Sequence, residues 1–331
     1  MSDMRSVAGV LERTRTVIIA GHMMPDGDCV GSVGALGLAL RQMGKEVTMA
    51  LPDPVPEIFG FLPEVTDFII GEEALKGEYD TFVVLDCSVP ERLGSLRGLL
   101  DRSLVIVNID HHVSSREFAR YNYINPAYAA TAEIILDLLG PLGVKITPEI
   151  ATCLYTGIAT DTGSFQYENT TSGTHRRVAL LIEQGAPSVW INIMLHEQNP
   201  LVNLLVLGAA LKTLRLSPCG RVAWVSVKRE LLDRLRAKDE NTDGLIGYIR
   251  SIRGVEVALL FRELSPGRYK VSFRSKEVVD VNRLASRFGG GGHLRAAGSL
   301  LEGDIENVVS RVVGATLQEL GKKEKECRKT G

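Results

Sequence analysis

The sequence predicts an α/β protein of two domains, a doubly wound and mainly parallel sheet followed by a smaller α/β domain. Three observations carry this reading. Apolar runs of strand length alternate with helical patterns through the first half, as βαβ units do. Carboxylates stand at the ends of those runs, where open parallel sheets bind ligands. A chain of 331 residues with 45% hydrophobic content is long enough for two ordinary cores.

The elements follow in order. Val17–Ala20 reads as a strand, and Gly31 to Met43 as a helix ended by Gly44. Glu46–Leu51, Phe68–Ile70, Thr81–Leu85 and Leu104–Val107 read as further strands. Thr131 to Leu139 is an amphipathic helix ended by Gly140. Thr147 and Pro148 open the next helix as N-cap and first-turn proline, and it runs to about Ala159. One more helix lies within Thr170–Gly185. Residues 1–187 form the first domain, and residues 188–220 read as a helical connector. Beyond the turn Pro218-Cys219-Gly220, residues 221–331 form the second domain. Its strands are Arg221–Val227, Glu256–Arg262 and Tyr269–Arg274, and its helices Glu230–Arg236, Gly244–Ile252, Asp280–Phe288 and Ile305–Leu320. The Lys- and Glu-rich end, residues 321–331, is expected to be a disordered tail.

The net charge of −2 hides an uneven distribution. Residues 1–199 carry 14 basic against 25 acidic side chains, and residues 200–331 carry 24 against 15. An acidic half that attracts cations and a basic half that attracts phosphate have this profile. The five cysteines, Cys29, Cys87, Cys153, Cys219 and Cys327, are odd in number and form no CxxC pair. That argues against a disulfide scaffold or a zinc knuckle and fits the cytoplasm. The longest apolar stretch, Leu201 to Leu211, is too short to span a bilayer, and no signal peptide is expected.

The chemistry is concentrated at four junctions. The first strand leads into His22-Met23-Met24-Pro25-Asp26-Gly27-Asp28, and Thr81–Leu85 leads into Asp86. The strand from Leu104 leads into Asp110-His111-His112, and the helix from Pro148 ends at Asp161-Thr162-Gly163. Each piece alone fits an ordinary turn. Together, five Asp and three His at such junctions repel one another unless cations hold them, which points to a two-metal site. Mixed His and carboxylate ligands without Cys suit Mn²⁺ best, with Mg²⁺ or Co²⁺ as alternatives. A second feature is Gly289-Gly290-Gly291-Gly292-His293. A flexible turn and a backbone cradle for an anion are both open for it. Arg274-Ser275-Lys276 before it, and His293 and Arg295 at its end, favour a phosphate or nucleotide clamp.

His22-x-x-x-Asp26-x-Asp28, Asp86, Asp110-His111-His112 and Asp161-Thr162-Gly163 resemble the four motifs of the DHH phosphoesterases. The glycine run with His293, followed by Ala296-Ala297-Gly298, resembles the GGGH motif of the DHHA1 domain. The pairing is most similar to the bacterial group of nanoRNases (oligoribonucleases) and pAp phosphatases. Leu294-Arg295 and Val113-Ser114-Ser115 depart from the common pattern and bear on substrate preference. The resemblance implies that His22, Asp26 and Asp86 hold one metal, and that Asp28, Asp86, His111 and Asp161 hold the other. It leaves Asp110 to orient a ligand imidazole and His112 to meet the phosphoryl oxygen or leaving group. It assigns substrate binding to Arg274, Ser275, Gly290, Gly291, Gly292, His293 and Arg295, in a cleft between the domains. The implied activity is hydrolysis of very short RNA and of adenosine 3′,5′-bisphosphate (pAp), with no membrane partner and with a homodimer left open. Rival activities are hydrolysis of linear or cyclic dinucleotides, single-strand exonuclease action and pyrophosphatase action. A catalytically silent nucleotide-binding regulator is the rival from another class.

Overall fold

The computed structural model describes residues 2–75, 78–102, 105–242 and 244–330, and the side chains of 74, 293 and 323–330 lie outside that description. The chain divides into two compact units, Met1–Gln198 and Asn199–Gly331. In the first, the order is α1 (Met4–Arg13), β1 (Thr16–Ala20), α2 (Gly27–Gln42), β2 (Glu46–Leu51), β3 (Ile69–Ile70), β4 (Thr81–Leu85), β5 (Val105–Asp110) and β6 (Tyr121–Ile124). Helices α3 (Thr131–Leu139), α4 (Pro148–Asp161), α5 (Ser172–Glu183) and α6 (Ser188–His196) complete it.

The six strands lie in the order β3-β2-β1-β4-β5-β6, all parallel. Strands β1 and β4 are buried along both faces, which is why they read as unbroken apolar runs. Val17, Ile19, Val83, Leu85, Val107 and Ile109 pack on the helices of one face. Ile18, Ala20, Phe82 and Val84 pack on Leu93, Leu96 and Leu99 across the other. The strand order reverses between β1 and β4, so their C-terminal ends open the crevice where doubly wound sheets take ligands.

Several boundaries differ from expectation. Helix α2 begins at Gly27, because Asp26 caps it by accepting from Cys29 N at 3.0 Å. Strand β5 runs on to Asp110, so the first residue of the Asp-His-His triplet is the last of a strand. Leu104, where that strand was expected to start, lies outside the described residues. Helix α1 and strand β6 were not anticipated.

The second unit contains α7 (Leu201–Leu211), β7 (Arg215–Leu216), β8 (Val222–Val227), α8 (Arg229–Leu235), α9 (Leu245–Arg250), β9 (Val257–Ser265), β10 (Arg268–Ser275), α10 (Val281–Ser286), β11 (Gly291–His293), β12 (Ala296–Glu302) and α11 (Ile305–Thr330). Its sheet runs β11-β12-β10-β9-β8-β7, antiparallel except for the parallel pair β8 and β9. The expected connector is no separate body: α6 belongs to the first unit and α7 to the second. The tail expected to be disordered continues α11 to Thr330. Lys, Glu and Arg are good helix formers. Among the described residues no single helix is long and apolar enough to cross a membrane, although the bent pair α5 and α6 passes by length and composition alone.

Candidate metal centre

The four acidic junctions converge. Three sets of ligand atoms each lie within 4.8 Å of one another: His22 with Asp26 and Asp86, Asp28 with His111 and Asp161, and Asp86 with His111 and His112. The strands explain how. His22 follows β1, Asp86 follows β4, and His111 follows β5, all at one end of the sheet. Asp161 is the last residue of α4, where left-handed backbone at Gly163, Ser164 and Phe165 turns the chain away. Asp86 itself is left-handed, with φ of 57°. A non-glycine residue held so, at the carboxylate shared by two of the sets, is strain stored where the chemistry is.

Asp28 reaches the centre from the first turn of α2. It also serves α3, whose N-cap is Ala130 and offers no side-chain acceptor. Thr131 N donates to Asp28 Oδ2 at 2.6 Å, and Ala132 N donates to Oδ1 at 2.9 Å. Gly157 of α4 leaves the room, since a Cβ there would sit 2.9 Å from Asp28 Oδ1 and 2.7 Å from Ala132 Cβ. The hydroxyl of Thr131 donates to Asp86 Oδ1 at 3.0 Å. Thr131 therefore touches two of the carboxylates, and one sign of it was visible along the chain: a helix opening after an alanine needs its acceptor from elsewhere.

The donor set fits divalent cations. His111 Nδ1 faces the carbonyl of Tyr128 at 3.3 Å, which places the ring proton there and the lone pair on Nε2. Nε2 is buried and has no hydrogen-bond partner. It looks onto Asp161 Oδ2 at 3.4 Å, Asp86 Oδ1 at 3.7 Å and Asp28 Oδ2 at 3.9 Å. His22 repeats the pattern, with Nδ1 2.7 Å from the carbonyl of Met23 and Nε2 3.4 Å from Asp86 and 3.8 Å from Asp26. Arg92, which the sequence did not single out, also places Nη2 2.8 Å from His22 Nδ1. A guanidinium only donates, so it competes with the Met23 carbonyl for that nitrogen.

The charges tell the same story. Burial, then the charges of Asp86, Asp161 and Asp26, pushes Asp28 well above the usual carboxylate range. Burial with the charges of Asp86 and Asp26 pushes Asp161 up to about 8. Burial works against a charged His22, but the carboxylates of Asp26 and Asp86 prevail and raise it to about 9. Bound cations reverse this pressure on the carboxylates, and take the place of the proton on the imidazole.

Asp110 does orient an imidazole, but that of His112 and not of His111. Its Oδ1 lies 2.7 Å from His112 Nδ1 and accepts from the backbone N–H of His111 at 2.8 Å. Residue spacing alone could not tell which of two adjacent rings turns back. Tyr167 is half exposed, and Phe165 packs edge-on to Tyr155 with centroids 6.4 Å apart.

The residues read as a clamp in the second unit are mostly engaged in the fold. Ser275 is fully buried, and its hydroxyl donates to the carbonyl of Val279 at 2.6 Å. Arg295 donates to the carbonyls of Val279 and Glu277. Both polar groups stitch the loop after β10, which removes Ser275 and weakens Arg295 as substrate contacts. The N–H groups of residues 277, 278 and 279 form a small anion nest, and Glu256 Oε1 fills it at 3.1, 2.6 and 3.1 Å. In the glycine run, the N–H groups of Gly289, Gly290 and Gly292 donate to Ser286 O, Ala285 O and Asn282 Oδ1. Three of the four donors of the expected cradle are thus used. The glycines are needed for close approach instead: a Cβ on Gly290 would lie 2.1 Å from Gly298 O, and one on Gly292 2.5 Å from Ala296 O. Arg274 donates to its neighbour's carbonyl, Phe273 O, at 3.1 Å. The backbone of His293 ends β11, and its side chain lies outside the described ones.

Comparison with known proteins gives a consistent result. The DHH family, N-terminal domain, matches residues 16–158, and the DHHA1 domain matches residues 225–319. The bifunctional oligoribonuclease and PAP phosphatase NrnA of Thermus thermophilus is 35% identical over 319 residues, covering 96% of this chain and 94% of that protein. The protein of the same description from Bacillus subtilis is 28% identical over 289 residues, covering 86% of this chain and 88% of its own length. The crystal structure of an exopolyphosphatase-related protein from Bacteroides fragilis superimposes with a TM-score of 0.87 at 25% identity, covering 96% of this chain and 95% of that one. With the motifs, the fold and a full-length relative in agreement, the chain belongs to the DHH/DHHA1 phosphoesterase family.

Proposed function

We propose that this protein is a cytoplasmic, two-metal phosphohydrolase that degrades very short RNA oligonucleotides to mononucleotides and removes the 3′-phosphate of pAp. The observation that carries it is the buried, unpartnered Nε2 of His111 facing three carboxylates. The names of the Thermus thermophilus and Bacillus subtilis relatives support the substrate class. His22, Asp26 and Asp86 would hold one ion, and Asp28, Asp86, His111 and Asp161 the other, with Mn²⁺ favoured over Mg²⁺ or Co²⁺ by the ligand set. Bound there, the ions would neutralise phosphate charge and lower the pKa of water.

The protein's own residues do the rest. Asp110 fixes the His112 ring through Nδ1, which leaves Nε2 for the substrate. Burial opposes a charged His112, but Asp110 and Asp86 raise its pKa and favour the imidazolium. In hydrolysis, a water oxygen bonds to phosphorus as the bond to the leaving ribose oxygen breaks; His112 Nε2 donates a proton to that oxygen, the water's proton passes to solvent, and His112 is reprotonated from solvent. Substrate recognition falls to the basic second unit, through Arg274, His293 and the β11–β12 hairpin. Ser275 and Arg295 act there only through the loop they hold.

The test is a Mn²⁺ assay of the purified chain, comparing a diribonucleotide, a 5-mer and a 24-mer RNA, pAp, cyclic dinucleotides and pyrophosphate at two salt concentrations. The expected result is the highest kcat/KM on the dinucleotide and pAp. Preference for the 24-mer, lost at high salt, indicates a strand-tracking exonuclease instead. Light scattering of the same preparation distinguishes monomer from homodimer.

A further inference from the structure

Four proposed ligands hang on one short segment, residues 128–132: Asp28, His111 and Asp161, and through the Thr131 hydroxyl the shared Asp86. The N–H groups of Thr131 and Ala132 hold Asp28. The carbonyl of Tyr128 holds His111 Nδ1. The amide of Asn169 donates to the carbonyls of Ala129 and Asp161, at 3.0 and 3.1 Å, and so ties the end of α4 to the same segment.

The segment is in turn anchored from outside. Tyr128 OH donates to Asp137 Oδ2 at 2.9 Å. Arg177 makes a two-pronged contact with Asp137, Nε to Oδ1 at 3.0 Å and Nη2 to Oδ2 at 2.5 Å. Its guanidinium also lies 4.8 Å from the centroid of the Tyr128 ring. Glu133, beside Arg177 at 3.8 Å, accepts from Ala129 N at 3.1 Å. The tyrosine ring is pinned at its face and its hydroxyl, so its carbonyl has little freedom to leave His111. The other set has a separate frame, in which Met23 N donates to Arg92 O and Met24 N to Asp53 Oδ2, both at 2.7 Å. His22 Nδ1 meets a carbonyl beside Met24, which is left-handed and 76% exposed, and the Asp26 side chain is 58% exposed.

We propose that Arg177, Asp137 and Tyr128 are positioning residues for the metal centre, acting through residues 128–132 on the Asp28, His111 and Asp161 half far more than on the His22 and Asp26 half, which the segment meets only at the shared Asp86. The inference rests on the reading that these side chains hold metal. A partner of a ligand imidazole fixes its tautomer and direction, and losing it weakens metal binding.

The experiment is a Mn²⁺ titration of the full chain by equilibrium dialysis, for wild type, Arg177→Ala, Tyr128→Phe and His111→Ala, each checked by circular dichroism in EDTA. Arg177→Ala is expected to weaken one of the two equivalents by about 10-fold, leaving the other within about 2-fold of wild type. Tyr128→Phe keeps the ring and loses only the hydroxyl contact, so it should show the same selectivity with a smaller shift; it carries the test alone should Arg177→Ala not fold. Equal weakening of both equivalents, or wild-type binding in both variants, overturns the proposal. His111→Ala separates the two readings: if it binds like wild type, the metal assignment falls with the proposal. If it loses an equivalent while Arg177→Ala and Tyr128→Phe lose nothing, only the proposal falls.

Discussion

His111 Nε2 in the first unit has no hydrogen-bond partner, while Glu256 Oε1 in the second has three. The contrast extends through both units. At the ends of β1, β4 and β5, carboxylates crowd the Nε2 atoms of His22 and His111 at distances of 3.4 to 3.9 Å, longer than ordinary hydrogen bonds, while His112 pairs with Asp110 at 2.7 Å. In the loop after β10 and the glycine hairpin, the polar atoms pair with one another at ordinary hydrogen-bond lengths. Unmet donors and acceptors in a protein interior are costly, so a cluster of them signals a missing partner. A paired cluster signals structure. The same residue types, Asp, His, Arg, Ser and Gly, therefore carry different weight in the two units.

The sharpest way to break this comparison is to remove the shared carboxylate. Asp86→Ala should lower kcat by more than the roughly 100-fold that outer partners of a metal site can cost, and should release metal. Near-normal turnover with full metal content, read by elemental analysis, defeats the two-metal assignment. His112→Ala should follow, with a loss of about 100-fold in kcat and metal content close to wild type, because His112 is assigned to the proton and not to an ion. Metal loss equal to that of His111→Ala would move His112 among the ligands.

A third experiment sharpens the contrast through pH. Asp161 near 8 and Asp28, both raised, bind protons in the folded metal-free protein that the unfolded chain has already released. Their contribution to stability is full below the ordinary carboxylate value near 4 and is lost as pH rises through about 8. His22, raised to about 9, acts in the same direction between its ordinary value and about 9. Melting temperature in EDTA should therefore fall from pH 5 to pH 9, and the rise on adding Mn²⁺ should grow across the same interval. A metal effect independent of pH contradicts the reading.

Two smaller effects test the second unit. His293→Ala should impair the dinucleotide and pAp more than a small chromogenic phosphodiester, because binding energy away from the reacting phosphate is lost. An equal loss on all three places His293 at the metal centre. Ser275→Ala should cost about 0.5–1.5 kcal/mol in denaturant unfolding, because Val279 O loses the hydroxyl but keeps its bond from Arg295, with kcat/KM changed less than by His293→Ala. A large kinetic loss at unchanged stability restores Ser275 as a substrate contact.

The first unit was legible because its signals are local in sequence. Strands buried on both faces leave unbroken apolar runs, and each proposed ligand sits within a few residues of a strand or helix end. Partners far along the chain were not legible. Nothing near Arg92, Asn169 or Arg177 points to His22, Asp161 or Tyr128. The glycine run was ambiguous for a physical reason: four glycines in a row look the same whether they make room for an anion or for a second strand. Only the register of β11 on β12 decides, and it pairs Gly292 with Ala297.

The borrowed cap of α3 bears on how the chain folds. Asp28 and Thr131 are 103 residues apart, so the first turn of this helix cannot be completed by its own neighbourhood. Closing so long a loop costs entropy before any contact rewards it, which places this turn among the late events of folding. Local helix propensity can start α3 from its middle, but its first turn must wait until the sheet has brought α2 alongside. The carboxylate proposed to bind metal and the end of the helix then become ordered in one step.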